Sequence, residues 1–280
     1  MNILLTGAGS GIGKELVKNF RKKKFNLIVC GRSKIRLAEL KKIKCNIKIF
    51  KCDVSKEQEV INFKKYVLKY FKRIDVIINS AGIYGEIGRF DKINFNSWKK
   101  AIEINFFGTV LICKYFIDLL FKSKVKKIIN FSGGGAFNAF PNFSSYACSK
   151  AAVVRFTENL SEEFRREGVT SNCIAPGFIA TSMQNQVLKS GVNKVGYDFY
   201  HFVKKKIKQN NKNSILTPIK CVNFLISNRI KKINGRTISA NFDDWNSTNF
   251  KNIISKKENF DLFFMRRINL NNIIRKSKIK

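Results

Sequence analysis

Thr6-Gly7-Ala8-Gly9-Ser10-Gly11-Ile12-Gly13 follows a short apolar segment, Asn2 to Leu5, near the start of the chain. A helical pattern comes next, with Ile12, Leu16 and Phe20 on one face. A strand, a glycine-rich turn and a helix in this order form a cradle for phosphate. Glycines allow the tight turn and a close approach of the backbone, and the N–H groups of the first helical turn attract an anion. The stretch therefore predicts the first unit of a dinucleotide-binding sheet.

Apolar segments and helical patterns alternate along the rest of the chain. Further strands are predicted over residues 26–30, 46–52, 74–78, 125–131, 169–175 and 236–240, and the longer helices over 97–121, 143–168 and 214–227. Ser55 and Gln58 indicate a capping box at the helix after the third strand. Segment 182–213 is polar and weakly periodic, and it predicts a lid over a substrate. The alternation with short connections predicts an α/β fold with one doubly wound parallel sheet.

Arg32 follows the second strand, in Gly31-Arg32-Ser33. In a dinucleotide fold the end of this strand faces the adenosine ribose, where an acid binds a 2′-hydroxyl and an arginine binds a 2′-phosphate. Arg32 therefore favours NADP over NAD as the cofactor. The alternative is an exposed arginine of a basic protein.

Tyr146 and Lys150 stand four residues apart in Ser145-Tyr146-Ala147-Cys148-Ser149-Lys150, at the start of a predicted helix. Residues at this spacing lie one above the other, so the ammonium group can sit beside the phenol. A nearby cation favours the phenolate and would lower the pKa of Tyr146 towards neutrality. The pair predicts a proton donor or acceptor, although the same spacing occurs on many solvated helices.

Composition limits the other classes of function. Fifty-four Lys+Arg against 19 Asp+Glu give a formal charge of +35, but the basic residues are spread along the whole chain, so we treat the charge as compositional and do not expect specific nucleic-acid binding. Seven scattered Cys without C-x-x-C spacing indicate reduced thiols and no zinc site, and we expect no metal. No uninterrupted apolar run reaches transmembrane length and the chain opens into a strand, so we expect no signal peptide and a cytoplasmic protein.

Taken together, these motifs resemble the short-chain dehydrogenase/reductase family. Those that carry the resemblance are Thr6 to Gly13, Asp53, Asn79-Ser80-Ala81-Gly82, Asn105, a serine at the end of the fifth strand, Tyr146 with Lys150, and Pro176-Gly177. Gly235-Arg236-Thr237-Ile238-Ser239-Ala240 also resembles the family's last strand. The resemblance covers about residues 2 to 240. It implies a Rossmann-like fold over a domain of residues 1–245, followed by a basic tail of 246–280.

The resemblance also implies roles for individual residues. Tyr146 would be the general acid/base, Lys150 would lower its pKa and hold the nicotinamide ribose, and Asn105 would hold a water that relays protons to Lys150. The residues implied in cofactor binding are Thr6, Gly7, Ser10, Gly11, Ile12, Gly13, Arg32, Ser33, Asp53, Val54, Asn79, Ala81, Gly82, Tyr146, Lys150, Pro176, Gly177, Ile179 and Thr181.

One position departs from the family pattern. The catalytic serine usually stands thirteen residues before the tyrosine, and here that position is Gly133, with Ser132 one residue earlier. A shift by one residue would turn the hydroxyl the wrong way, but three consecutive glycines could let the loop twist. We expect Ser132 to donate to the substrate oxygen. The alternatives are a site that works through Tyr146 alone and one that has lost activity.

These features predict an NADP-dependent oxidoreductase that transfers a hydride between nicotinamide and the carbonyl/alcohol pair of a small or carrier-linked substrate. The Ser-Gly-Gly-Gly strand end and the segment from Ser239 to Trp245 loosely resemble a branch associated with cell-surface sugar or lipid biosynthesis. One alternative is a 3-oxoacyl carrier-protein reductase, and another is a non-catalytic scaffold or redox sensor. The resemblance further implies a homodimer or homotetramer formed through the two long helices.

The lone His201 and the tail complete the sequence predictions. His201 lies in the predicted lid, and we interpret it as a solvated surface residue. Residues 251–280 hold nine Lys/Arg against two Asp/Glu, together with apolar positions. We expect an amphipathic helix that packs on the domain or on a subunit, with a membrane-surface anchor as the alternative.

Overall fold

The structure is a computed structural model that describes residues 1–43, 45–209, 212–227, 233–255 and 265. Within these ranges the strands are β1 (Asn2–Leu5), β2 (Asn26–Gly31), β3 (Ile47–Lys51), β4 (Val76–Asn79), β5 (Lys127–Phe131), β6 (Thr170–Ala175) and β7 (Thr237–Ser239). The helices are α1 (Gly11–Lys22), α2 (Lys34–Ala38), α3 (Glu57–Leu68), α4 (Phe95–Ile102), α5 (Gly108–Phe121), α6 (Ser144–Glu163), α7 (Ser182–Val195), α8 (Tyr197–Lys208), α9 (Leu216–Ser227) and α10 (Thr248–Ser255).

All seven described strands run parallel in one sheet, in the order β3-β2-β1-β4-β5-β6-β7. The predicted doubly wound α/β fold is therefore confirmed. Apolar clusters fill both sides of the sheet: one contains Leu16, Phe20 and Trp245, and the other contains Phe63 and Phe116. Strand order reverses between β1 and β4. Ligands of such sheets bind at this switch point, beyond the carboxyl ends of the strands.

The helix expected over residues 97–121 is interrupted at its centre. A π-helical segment, Glu103–Phe107, separates α4 from α5. A π segment inserts a residue into the helical repeat. The apolar buried face of α5 comprises Ile112, Cys113, Phe116, Leu119 and Leu120. Such insertions are frequent at functional sites, and this one contains Asn105.

By length and composition, the stretch Phe95–Phe121 is apolar enough to cross a membrane, contrary to the sequence expectation. Half of its most apolar window is buried inside the protein. The stretch packs beside β4, α3 and α6 as a core helix of the domain does.

The lid and the start of α3 also differ from the sequence predictions. Residues 182–208 form two helices, α7 and α8, and their buried Val187 and Val203 belong to a third apolar cluster. The predicted Ser55/Gln58 capping box is absent. Ser55 donates to Asp53 Oδ1 through both its hydroxyl (2.7 Å) and its backbone N–H (3.1 Å), and α3 begins two residues later, at Glu57.

The described part of the tail packs on the domain. Phe250 and Ile254 of α10 are buried in the cluster that contains Trp245. Met265 accepts a hydrogen bond from Arg155 through its backbone oxygen (2.9 Å) and donates its N–H to Glu158 (2.6 Å). The remaining tail residues lie outside the described ranges, and so do most of the apolar positions of the predicted amphipathic helix.

Candidate active site

A cleft of about 1430 Å³ opens at the switch point between β1 and β4. Its two sides are tied together by Thr6, whose buried hydroxyl accepts the backbone N–H groups of Ser80 (3.1 Å) and Ala81 (3.2 Å). Thr6 was predicted to bind a cofactor, but its oxygen is used for this connection and Thr6 does not line the cleft.

The glycine-rich turn depends on contacts between backbones. Gly7 has φ +68°, and a Cβ there would lie 2.7 Å from the backbone nitrogen of Ala81. A Cβ on Gly13 would overlap the carbonyl oxygen of Gly7, because α1 packs directly on the turn. Ser10 is the N-cap of α1 and forms no side-chain cap hydrogen bond, so its hydroxyl and the first N–H groups of α1 are available to an anionic ligand.

Arginines lie at the end of the cleft beside β2. Arg32 and Arg36 both line it, and Ser33 caps α2 by accepting the N–H of Arg36 (3.3 Å). Val54 lines the same end, whereas Asp53 does not. Asp53 Oδ1 accepts from Ser55 in the turn before α3, and its predicted contact with adenine stays a prediction.

Tyr146 and Lys150 lie in the first turns of α6 and line the other end of the cleft, as predicted. The Lys150 Nζ donates to the backbone oxygen of Phe131 at 2.9 Å and lies 5.7 Å from the centre of the Tyr146 ring. Both side chains are buried. The residues at i and i+4 thus share one helix face and meet at the carboxyl end of β5.

Asn105 lies behind this pair and is fully buried. Its Nδ2 donates to the backbone oxygen of Ile83 and to Ser149 Oγ, both at 2.9 Å, and its Oδ1 accepts the Ile83 N–H at 2.8 Å. A Cβ on Gly82 would lie 3.3 Å from Asn105 Oδ1 and 3.6 Å from Lys150 Nζ. Asn105 therefore holds the loop after β4 against α6, and its Oδ1 retains a second lone pair close to Lys150.

The expected lowering of the Tyr146 pKa is not found. Burial raises the pKa of the Tyr146 phenol, and the neighbouring Tyr84 raises it further. Burial also lowers the pKa of Lys150 to about 8. The cation does not offset the desolvation of the phenol: Lys150 donates to the backbone oxygen of Phe131, and its Nζ lies 5.7 Å from the centre of the Tyr146 ring.

Ser132 and Gly133 follow β5 at the floor of this site. A Cβ on Gly133 would overlap the Tyr146 hydroxyl and lie 2.7 Å from Tyr146 Cζ, so the phenol occupies the space that a serine side chain would need. Ser132 is on the cleft wall, but its Oγ is buried and has no hydrogen-bond partner among the described residues, Tyr146 included. The glycines do not bring Ser132 into hydrogen-bond contact with Tyr146.

The cleft collects most of the predicted residues. Those that line it are Gly7, Ser10, Gly11, Ile12, Arg32, Ser33, Val54, Ala81, Gly82, Ser132, Tyr146, Lys150, Pro176, Gly177, Ile179 and Thr181. Thr6, Gly13, Asp53, Asn79 and Asn105 do not line it. Asn79 Nδ2 donates to Asn130 Oδ1 at 2.9 Å in the core, so its amide joins β4 to β5.

Several residues that line the cleft were not predicted from the sequence. They are Arg36, Tyr84, Phe140, Gln184, Phe199, Phe202 and Lys206. Phe140, Phe199 and Phe143 stack on one another beside Tyr146, with ring centres 4.4 to 5.2 Å apart. The aromatic run Tyr197-Asp198-Phe199-Tyr200-His201-Phe202 was the available signal for this wall. His201 is exposed on α8 and stacks on Tyr197, as expected of a surface residue.

Tyr146 and Lys150 supply titratable groups for proton transfer within the cleft. No group of three or more His, Cys, Asp or Glu within the described ranges could hold a metal ion, and each of the seven Cys is a free thiol. The glycine turn, the arginines and the Tyr146/Lys150 pair lie along one continuous cleft. The volume of the cleft and the order of these features along it fit a dinucleotide. Its phosphates would lie at the start of α1 and its reactive end at Tyr146.

Comparison with known proteins finds similarity over most of the chain. The family model for short chain dehydrogenases matches residues 1–190. An uncharacterised oxidoreductase of Bacillus subtilis, DltE, is 32% identical over 186 residues, which make up 66% of this chain and 73% of that protein. A 3-oxoacyl-[acyl-carrier-protein] reductase of Synechocystis sp. is 32% identical over 185 residues, 64% of this chain and 74% of that protein.

Among solved structures, a variant of actinorhodin polyketide ketoreductase with NADPH is similar, with a TM-score of 0.75 and 23% identity. The match covers 85% of this chain and 94% of that one. At this identity the likeness shows a common fold.

Proposed function

The chain belongs to the short-chain dehydrogenase/reductase family, and from this premise we propose that it reduces a carbonyl group with NADP as its cofactor. Family membership makes it an NAD(P)-dependent oxidoreductase. The proposal rests on the two ends of the cleft. Tyr146 and Lys150 line one end, with Asn105 behind them, and the glycine turn and two arginines line the other.

Each residue of the site has a separate role in the proposed reaction. The nicotinamide, when bound, supplies the hydride that the carbonyl carbon receives. Tyr146 donates its phenolic proton to the carbonyl oxygen, and its raised pKa keeps that proton on the phenol until charge develops on the oxygen. Lys150 returns a proton to Tyr146. A water beside Gly82 would link Lys150 to the second lone pair of Asn105 Oδ1, so Asn105 acts as a positioning residue.

The rate of carbonyl reduction should fall as the pH rises above about 8. The pKa of Lys150 is lowered to about 8, so its ammonium form is present below that pH and is lost above it. Because the ammonium supplies the proton, kcat/KM should decline about tenfold per pH unit on the alkaline side. A profile from about pH 6 to about pH 10 measures this. Lys150→Arg keeps the charge but cannot release a proton, so it should lower the rate at every pH and show no decline at about pH 8. A wild-type profile that stays flat would contradict the assignment.

Arg32 is proposed to select NADP by binding its 2′-phosphate. Removal of one hydrogen-bonded charge costs about 1.5 to 3 kcal/mol, so Arg32→Ala should raise the Kd of NADPH about 10- to 100-fold. The Kd of NADH should not change, because NADH lacks that phosphate. Fluorescence titration with both cofactors measures the two constants. Lys34→Ala removes a charge from an exposed neighbour that does not line the cleft and serves as the control; equal weakening of both cofactors would refute the role of Arg32.

The substrate end of the cleft favours an apolar group beside the reacting carbonyl. Phe140, Phe178, Phe199 and Phe202 line it, and Lys206 lies 5.8 Å from the centre of the Phe202 ring. An acyl chain fits the aromatic wall, and a phosphate-bearing carrier arm fits a lysine at the cleft edge. These residues favour a 3-oxoacyl carrier-protein reductase as the second candidate, while a role in cell-surface sugar or lipid synthesis rests on sequence resemblance alone. Comparison of NADPH oxidation with a 3-oxoacyl thioester and with keto-sugars decides between them.

We also propose that the chain forms a homo-oligomer through the two long helices, which are the stretch from α4 to α5 and α6. Phe95 on α4 is 67% exposed, and Phe107 in the π segment is 50% exposed. Burial of such side chains between copies would remove apolar surface from water. Gel filtration of the wild type and of Phe95→Lys measures the oligomeric state.

A further inference from the structure

Tyr84 and Gln184 form a buried polar pair inside the cleft. Tyr84 lies in the loop after β4 and Gln184 in the first turn of α7, 100 residues later in the chain. The Gln184 Nε2 is 3.1 Å from the Tyr84 hydroxyl oxygen, and that oxygen is 3.3 Å from Gln184 Oε1. Both side chains are at least nine-tenths buried, and both line the cleft. Neither residue belongs to a motif that the sequence reading used.

The pair lies beside the proton donor. The rings of Tyr84 and Tyr146 are 4.8 Å apart between centres, at 65° to each other. Their phenols also interact electrostatically, since Tyr84 is one of the groups that raise the pKa of Tyr146. The Tyr84 ring therefore lies directly beside the ring of the proposed proton donor, and both residues line the cleft.

Tyr84 is fixed before any substrate arrives. Its backbone oxygen accepts a hydrogen bond from the Ser145 hydroxyl (3.3 Å), and the next backbone oxygen, that of Gly85, accepts from Gln186 Nε2 (2.8 Å). The Tyr84 ring also packs edge-on against Phe143, with centres 5.2 Å apart. Contacts from α6 and α7 thus hold the phenol in one orientation, as a preorganised donor requires.

The usual donor of the family is missing at this place. The Tyr146 phenol occupies the space where a side chain on Gly133 would lie, and the Ser132 Oγ is enclosed without a partner among the described residues. The developing charge on a substrate oxygen still needs a second donor in addition to Tyr146.

Gln184 contacts the Tyr84 hydroxyl in two ways. Its Nε2 donates to the phenol oxygen at 3.1 Å, and its Oε1 accepts the phenol proton at the longer distance of 3.3 Å. A substrate oxygen can replace Oε1 as the acceptor while the Nε2 hydrogen bond stays in place. A hydroxyl that accepts a hydrogen bond in this way becomes a better donor through its own proton. We infer that Tyr84, oriented and polarised by Gln184, donates the hydrogen bond that stabilises the substrate oxygen during hydride transfer. This inference rests on the proposed reductase function.

Tyr84→Phe tests the inference because it removes only the hydroxyl and keeps the stacked ring. With a 3-oxoacyl thioester and NADPH, we expect kcat to fall about 10- to 100-fold. Loss of one oxyanion donor costs about 100- to 1,000-fold in kcat, so this expectation lies at or below the lower end of that range. The Kd of NADPH and the thermal unfolding midpoint should stay at their wild-type values, since the hydroxyl binds neither the cofactor nor the sheet.

Gln184→Glu is the matched second variant. A carboxylate at this place accepts the Tyr84 proton and withdraws it from the substrate, so kcat should fall as far as in Tyr84→Phe. The double variant should be no worse than either single one, because both remove the same hydrogen bond. Tyr70→Phe, at an exposed residue away from the cleft, should leave kcat unchanged.

The outcomes separate this inference from the function on which it rests. A wild-type protein that binds NADPH but reduces no carbonyl overturns both. Wild-type turnover with an unchanged kcat in Tyr84→Phe, or a loss of kcat in Ser132→Ala instead, overturns the role of Tyr84 and leaves the reductase function standing. Additive losses in Tyr84→Phe and Gln184→Glu refute their action as a pair.

Discussion

Tyr146→Phe is expected to lower the rate of carbonyl reduction about 1,000-fold, because it removes the phenol that is proposed to protonate the substrate oxygen, and general acid catalysis supplies about 10²- to 10⁴-fold in rate. The phenyl ring keeps its contacts with Tyr84 and Phe140, so the protein should remain folded. The measurement is single-turnover oxidation of bound NADPH, followed at the nicotinamide absorbance band.

Tyr70→Phe is the matched control for that experiment. Tyr70 is 48% exposed and lies away from the cleft, so loss of its hydroxyl should not change the rate. Retention of more than about a tenth of the wild-type rate in Tyr146→Phe would show that another group or a water protonates the substrate.

Gly13→Ala is expected to have the largest effect on the folded state. The new Cβ would overlap the Gly7 carbonyl oxygen and lie 2.8 Å from the Gly7 carbonyl carbon. Both belong to backbone, so α1 must move away from the turn. Overpacking of this kind costs about 3 kcal/mol, and the unfolding midpoint should fall by about 6 to 10 °C. Phosphate binding by the turn should weaken as well, since α1 no longer directs its N–H groups into the cleft.

Gly134→Ala is the control for added volume. The nearest heavy atom to its Cβ would be Phe140 Cε1 at 3.7 Å, an ordinary contact distance. Its unfolding midpoint should stay near that of the wild type. Calorimetry of both variants decides the matter: equal midpoints would mean that α1 does not depend on its contact with Gly7.

The sequence predicted the parts of the site that depend on local spacing. Glycines within one turn and Tyr146/Lys150 within one helix face keep their geometry in any context that forms the elements, so the cradle and the pair could be placed from the residues alone. The doubly wound parallel sheet followed from the alternation of strands and helices. The side chain of Arg32 also lines the cleft at the expected strand end.

Features that depend on distant contacts could not be predicted. Tyr84 and Gln184 meet across 100 residues, and no pattern marks either of them. The π segment at Asn105 is formed where the helix packs on the Ile83 loop and α6, not by a local sequence signal. In α7, Gly191 has a non-helical φ of +76°, which breaks the periodicity and made the segment resemble an irregular lid.

Three polar residues that were predicted to bind the cofactor do not line the cleft. Thr6, Asp53 and Asn79 stand at strand ends, as cofactor ligands do, yet their side chains bond to neighbouring loops or strands. Polar groups at the strand ends of this fold either bind a ligand or hold neighbouring loops and strands together. Position along the chain therefore predicts that a residue is close to the cleft, but not that its side chain faces the cleft.

The most direct test of the account is NADPH oxidation by the purified wild-type chain in the presence of a 3-oxoacyl thioester, with a keto-sugar and no carbonyl as parallel samples. If the chain is the proposed reductase, it will bind NADPH and oxidise it only when a carbonyl is present. The rate will fall above about pH 8. If the chain bound neither NADPH nor NADH, or bound NADPH and oxidised none of it with any carbonyl, the proposed reductase function would be wrong.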